Sequence, residues 1–349
     1  MTAVGAIVLR RIYFSCKGCG PGGYGADRIL GLEGFLTRQA TRLICLLGGQ
    51  NSSAAAERLL SECCGWTISD ERIRQACQAE SVRIAGFRAD SPAVAQAFVA
   101  AGDVEFQTDA AKVNTPGGWR DMKIGIFARR ERGEPSTPAG WDDRDLPAPT
   151  ARAAFAAIET IDEFAPRWSD WAARLGITDT TEITVLGDGA EWIWNAATKQ
   201  FGDCHQILDI YRAAEHIADA AKGLLGEGTA AAKSWFEQGR GLLLSDGWAG
   251  LCDHLGATLA GDDEPTDRAP LDGLMSYFAA HTERLNYCQR LYTGQSIGSG
   301  MVEGAAKNLV GRRLEQTGAR WQVENVNKMA ELCCLTYSDH WEPYWASPN

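Results

Sequence analysis

The feature that most constrains this chain is a succession of three extended stretches, residues 104–113, 119–129 and 152–159, followed by a regular alternation of helix and strand. Apolar and polar residues alternate through Val104-Glu105-Phe106-Gln107-Thr108-Asp109, the period-two pattern of a strand with one buried face. Further strands are expected at 182–186 and 206–210, with helices at 164–175 and 191–201 in the gaps. Three successive strands followed by alternating elements predict an α/β chain built on a mixed sheet. The charged, proline-containing stretch 132–150 reads as a loop within that sheet and not as a domain boundary.

Two aspartates sit on these strands. Asp109 closes the first alternating run, and Asp188 follows Glu182-Ile183-Thr184-Val185-Leu186-Gly187. A third acid, Glu303, lies in Gly298-Ser299-Gly300-Met301-Val302-Glu303-Gly304-Ala305-Ala306-Lys307, where a small-residue loop opens a helix and Ser299 is placed to cap it. Two strand-borne aspartates and one helix-borne glutamate make a carboxylate cage for Mg²⁺ or Mn²⁺, cations that take oxygen ligands. Each acid also has a structural alternative. Asp188 with Glu191 fits a capping box, and Glu303 with Lys307 fits a helix-surface ion pair worth about 0.3–0.5 kcal/mol.

The interval between Asp188 and Glu303 is far longer than one connection requires. Helices are expected at 213–225, 230–238, 248–259 and 271–292, which together predict a helical insertion over 213–295. A last amphipathic helix is expected at 323–337, with a tryptophan-rich tail docking nearby.

Before the sheet, residues 1–14 alternate and suggest one strand. It leads into Cys16-Lys17-Gly18-Cys19-Gly20, which has the spacing of one knuckle of a zinc ribbon. Structural zinc needs four ligands, and Cys45, Cys63, Cys64 and Cys77 fall in expected helices, so two ordinary thiols in a turn are the alternative. Helices are expected at 37–47, 52–63 and 69–84, the last capped by Ser69. The Gly65-Trp66-Thr67-Ile68 turn gives the second pair helix-turn-helix length, and Arg72, Arg74 and Arg83 could meet DNA; a plain packed helical region is the alternative.

At this point a family resemblance appears. Val185-Leu186-Gly187-Asp188-Gly189-Ala190-Glu191-Trp192-Ile193-Trp194, then Ile297-Gly298-Ser299-Gly300-Met301-Val302-Glu303, Arg313-Leu314 and Gly318-Ala319-Arg320-Trp321, resemble the ISKra group of bacterial insertion-sequence transposases. The resemblance runs from about Arg11 to Trp321. It implies a ribonuclease H-like core of the Asp-Asp-Glu type, in which Asp109, Asp188 and Glu303 hold two Mg²⁺ ions for DNA cleavage and strand transfer. It also implies DNA as partner and a homo-oligomer on paired element ends. Members commonly carry an earlier Cys-x-x-Cys, so the resemblance implies a shortened N-terminal region. The family often has glycine after the first aspartate, where Ala110-Ala111 stands here. It typically has histidine where Arg212 follows Asp209 by three residues; His216, one turn on, is a candidate substitute.

Lys307, Arg312, Arg313 and Arg320 follow Glu303 and are candidate DNA-phosphate contacts, although cations late in a helix also suit its dipole. Trp192 and Trp194 could stack a base or belong to the core. A net charge of −11 over 349 residues excludes a general positive sheath, so DNA contact must come from local patches and metal. Eleven cysteines without an export signal read as reduced thiols. No apolar run reaches the roughly 18 residues of a spanning helix, which predicts a cytoplasmic protein.

The expected division is a partial zinc-ribbon-like segment (1–35), a helical region (36–100), a catalytic core (101–212 with 296–340) and the insertion (213–295). The expected activity is DNA transposition. A catalytically inactive DNA-binding remnant is the principal alternative, and glycoside hydrolysis by Asp188 and Glu191 is a weaker one without other sugar-binding features.

Overall fold

The computed structural model describes residues 1–2, 5–18, 20–30, 32–33, 35–260, 267–316 and 318–347. Two small hairpins come first: β1 (Tyr13–Cys16) pairs with β2 (Gly20–Tyr24), and β3 (Leu32–Glu33) with β4 (Leu36–Thr37), with α1 (Gly25–Leu30) between them. The strand expected over 1–14 is confined to its last residues. Residues 6–12 are irregular and exposed, because no sheet edge or core is supplied to their apolar side chains. Cys16 is exposed at the end of β1, while Cys19 lies outside the described residues.

Three helices follow, α2 (Arg38–Gln50), α3 (Ser53–Cys64) and α4 (Asp70–Asp90). Each starts where a hydroxyl side chain satisfies an orphan backbone donor: Thr37 accepts from the Ala40 N–H, Ser52 from Ala55 and Ser69 from Arg72. Gly65, at φ 64°, ends α3 in the left-handed conformation that glycine tolerates best. The short α5 (Pro92–Ala97) leads to the sheet.

The sheet contains β5 (Asp103–Thr115), β6 (Gly118–Arg130), β7 (Ala151–Ala157), β8 (Ile183–Gly187) and β9 (His205–Leu208), in the order β7-β6-β5-β8-β9. The pairs β5–β6 and β6–β7 are antiparallel, whereas β8 runs parallel to both β5 and β9. Between β7 and β8 lie α6 (Ile161–Phe164) and α7 (Pro166–Arg174), and between β8 and β9 lies α8 (Glu191–Phe201). The last strand is shorter than the expected 206–210, because Asp209 caps the next helix and Ile210 is already helical.

The long interval is helical, with two departures from expectation. After α9 (Ile210–Leu225), residues expected to leave a gap at 239–247 continue α10 (Ala230–Leu259), which kinks at Gly247 (φ 60°, ψ −134°). Conversely, 271–292 is not one helix. It divides into α11 (Ala269–Ala279), a 3₁₀ turn (Thr282–Arg284) and α12 (Tyr287–Tyr292). The break lets the buried Tyr287 donate its hydroxyl to Leu208 O (2.9 Å), which fastens the insertion to the end of β9. The chain closes with α13 (Gly300–Ala305), a π-helical turn (Ala306–Gly311), α14 (Val323–Tyr337) and α15 (Trp341–Ala346).

Both sheet faces are covered. On one, Phe106, Phe127 and Phe155 pack with Trp168 and Trp171 of α7. On the other, Ile124, Ile126 and Ala156 share a core with Ile44, Ile84 and Leu332 from α2, α4 and α14. The helical region 36–100 therefore has no core of its own. No helix among the described residues is long and apolar enough to cross a membrane.

Candidate active site

The parallel register puts the acids together. Gln107 pairs with Leu186, so Asp109 and Asp188, each two residues further on, lie at the same level, Asp109 midway along β5 and Asp188 just past the end of β8. Gly187 pairs with Leu208, which brings Asp209 to the same level. Neighbouring strands are about 4.8 Å apart, so the three aspartates stand in a row across β5, β8 and β9.

Glu303 reaches this row because β5 holds its helix. Alternate residues of a strand share a face, and Glu105, Gln107 and Asp109 form a polar stripe on β5. Buried Glu105 accepts a hydrogen bond from the Ser296 hydroxyl and pairs with Arg130 (3.3 Å). Gln107, 1% exposed, accepts from the Val302 N–H at 3.0 Å and so satisfies a donor at the start of α13. The next position on the stripe is Asp109, below Glu303. Together with Asp188 and Asp209 they line a cavity of about 570 Å³.

Ser299 precedes α13 but its side chain does not cap it. Its hydroxyl and backbone N–H both donate to Oδ2 of Asp209, the former at 2.8 Å. Asp209 is 2% exposed and its other oxygen accepts from the Arg212 N–H (2.8 Å), capping α9. One carboxylate thus ties three things together: the end of β9, the start of α9 and the loop that carries Glu303.

The structural alternatives for the acids are not realised. Asp188 accepts from the Ala190 N–H (3.0 Å), Ala190 is the N-cap of α8, and no side chain caps that helix, so the capping box with Glu191 is absent. Glu303 and Lys307 are both exposed, and no ion pair joins them among the described residues.

Electrostatics single out Asp109. Burial pushes its carboxyl above the usual range; the Ala110 N–H (2.7 Å) opposes this, and the charges of Asp188 and Glu303 add to the rise. Arg212, on the cavity wall, is pushed up despite partial desolvation by Glu215 and Asp188, and pairs with Glu215 at 2.5 Å. Arg240 of α10 faces the same space, held against Trp141 (5.5 Å) and Phe236 (5.1 Å). Behind Asp188, Tyr277 donates to its backbone oxygen (3.3 Å), and His216 stacks on Tyr277 at 3.7 Å instead of facing the cavity.

The donor set of Asp109, Asp188 and Glu303 is entirely oxygen, as a hard divalent cation requires, and a cation would relieve the repulsion that raises Asp109. Among the described residues, however, no three His, Cys, Asp or Glu side chains stand close enough together to hold a metal ion as they are.

The other candidates scatter. Arg313 is 5% exposed, donates Nε to Gly48 O (2.7 Å) and lies over Trp321, so it is a packing residue and not a free phosphate contact. Lys307, Arg312 and Arg320 are exposed. Arg74 is engaged by Glu71 (2.6 Å), Arg83 by Glu80 (2.7 Å), and Arg72 sits over Phe35. Trp194 is 4% exposed and Trp192 packs toward Trp168, which places both with the core. Asp209, Gln107 and Glu105 were not among the expected site residues. The alternation that marks β5 as a strand also puts Glu105 and Gln107 on the face of Asp109, a signal present in the sequence.

No protein-family model matches the chain, and no curated protein matches it.

Proposed function

We propose that this chain is a metal-dependent DNA strand-transfer enzyme of the insertion-sequence type, working in the cytoplasm as a homo-oligomer on paired DNA ends. The observation that carries the reading is the convergence of Asp109, Asp188 and Glu303, distant in sequence, on one cavity beside the adjacent parallel strands β5 and β8. A ribonuclease H-like assignment is supported by the strand order, with the second strand alone antiparallel to the rest, and by an acidic residue on the first strand.

In this reading Asp109, Asp188 and Glu303 hold Mg²⁺ or Mn²⁺. Bound there, divalent metal lowers the pKa of an attacking hydroxyl and stabilises the leaving oxygen of a phosphodiester. The chain's own residues do the rest. Asp109 and Asp188 are fixed by backbone donors, whereas Glu303 is exposed on a short helix and supplies the movement that gathers the three. Arg212 and Arg240 offset the charge of a phosphate entering beside five acidic side chains, the fifth being Glu215. Asp209 acts through Ser299 as a positioning residue.

The test is cleavage of a duplex carrying the element's own ends in Mg²⁺ or Mn²⁺. Asp188→Asn should abolish cutting while leaving the circular dichroism spectrum and melting profile unchanged; undiminished cutting removes Asp188 from the mechanism. Calorimetry should show metal binding by the native chain that Glu303→Gln loses.

A second reading, a transposase-derived chain that binds DNA without cutting it, draws on Arg212. Its guanidinium faces the acids and competes with a metal for their charge. Nicking of an end-sequence duplex by the purified chain excludes this reading, and Arg212→His should raise Mg²⁺ affinity if the competition is real.

A further inference from the structure

A second cavity, of about 240 Å³, opens beside the π-helical turn that follows α13. Its polar lining includes Gln50, Arg152, Asn308, Arg312, Thr336 and Tyr337, and no acidic residue lines it. In a chain with a net charge of −11, a pocket lined by two guanidinium groups and by no carboxylate is a local basic patch.

The two arginines differ in how they are held. Arg152, on β7, lies over the ring of Tyr337 at 4.9 Å, an arrangement that orients the guanidinium without neutralising it. Arg312 is exposed, and no carboxylate pairs with it among the described residues. Two planar forks at one pocket suit a tetrahedral oxyanion, for which arginine supplies paired donors. Tyr337 carries the connection to the acidic cavity: its hydroxyl donates to Met301 O (3.4 Å), on the helix that bears Glu303. Arg312 itself is nine residues beyond Glu303, on the order of 13 Å along a helical path.

We infer that the cavity between Arg152 and Arg312 is a phosphate-binding site, which takes a backbone phosphate of the nucleic-acid strand a few nucleotides from the bond at the acidic cavity. The assignment rests on the proposed function for the identity of the strand, but not for the presence of the anion site. Through Tyr337, an occupied site steadies the helix of Glu303, so it serves alignment as well as affinity.

The experiment measures equilibrium binding of a fluorescein-labelled duplex to the full chain in chelator, from about 50 to 200 mM salt, where phosphate contacts dominate. Arg312→Gln should weaken binding about fivefold, equally for unrelated sequences, and make the negative slope of log affinity against log salt shallower by about one. Arg312→Lys should restore the slope. Arg152→Gln with Arg312→Gln should make it shallower by about two. Unchanged affinity and slope in the double variant, with the native melting profile, overturn the inference. Protection by inorganic phosphate in a thermal melt, lost in the double variant while duplex binding is unaltered, reassigns the pocket to a small free anion and overturns the nucleic-acid assignment. Metal-dependent cutting by the native chain is scored separately, so loss of the transposase reading and loss of this site give different results.

Discussion

At the scale of single residues, the organising side chain is Asp209. It combines a helix cap with two buried bonds to Ser299, and neither function can be taken over by solvent. Asp209→Ala should therefore cost about 2–4 kcal/mol in denaturant melts, a cap plus orphaned buried donors, and should reduce cleavage more than Ser299→Ala does. A loss of stability equal to that of an exposed carboxylate would refute the tying role. His340 offers a pH-dependent test elsewhere. It is fully buried, stacked on Trp171, and neither ring nitrogen has a hydrogen-bond partner among the described residues. Burial, and then the charge of Arg88, push its pKa from 6.5 down to about 3. The unfolded chain thus binds a proton that the folded chain refuses, so this residue's contribution is full above about pH 6.5 and is lost as pH falls toward 3, at up to about 1.4 kcal/mol per unit. His340→Phe should flatten urea-derived stability against pH in that window; an unaltered slope would exclude His340 as its source.

At the scale of elements, the stripe on β5 explains why a central strand carries three polar residues on one face. Glu105, Gln107 and Asp109 are each matched to a successive part of the segment from Ser296 to Glu303, so the strand serves as a ruler for the helix laid across it. Gln107→Leu keeps the burial and removes one of the two acceptors of the Val302 N–H, the other being Ser299 O at 3.0 Å, and is expected to cost about 0.5–1.5 kcal/mol and to lower metal affinity through Glu303. The insertion is tied more locally. Gly247 adopts φ 60° and ψ −134°, a region nearly closed to residues with a Cβ, and an added Cβ would stand 3.1 Å from Leu285 O. Gly247→Ala should cost about 1–3 kcal/mol, read as an earlier thermal midpoint.

At the scale of the whole molecule, the helices before the sheet are structural members of the same body. Arg88 of α4 is 1% exposed, pairs with Glu331 of α14 at 2.6 Å, donates to Ala154 O of β7 and lies over Trp171 from the opposite layer. Buried Glu80, which accepts from the Tyr344 hydroxyl (2.5 Å), joins α4 to the C-terminal α15 in the same way. Replacing Arg88 by Ala strands these acceptors and should cost about 3–5 kcal/mol. Because Arg88 joins the cores on the two sheet faces, the fluorescence of tryptophans in both layers should report one transition, displaced together in the variant; two separated transitions would contradict that coupling.

The sequence by itself determined the elements. Period-two alternation marked the first strand of the sheet, extended apolar runs marked the other four, Ser69 marked the start of α4, and helical patterning marked the insertion and α14, because these signals act over a few residues of chain. It also marked Asp109, Asp188 and Glu303 as candidates. Where local signals compete, only the tertiary structure decided. Residues 6–12 lie in an alternating stretch without gaining a sheet, 271–292 breaks because Tyr287 finds an acceptor on β9, and Arg313 is drawn into the core by Gly48 O. The meeting of three acids from β5, β8 and α13, and the lock that Asp209 places on Ser299, depend on strand register and on partners about 90 to 195 residues away. No local pattern specifies such pairings, because their stabilisation arises only when distant segments bury the same polar groups together.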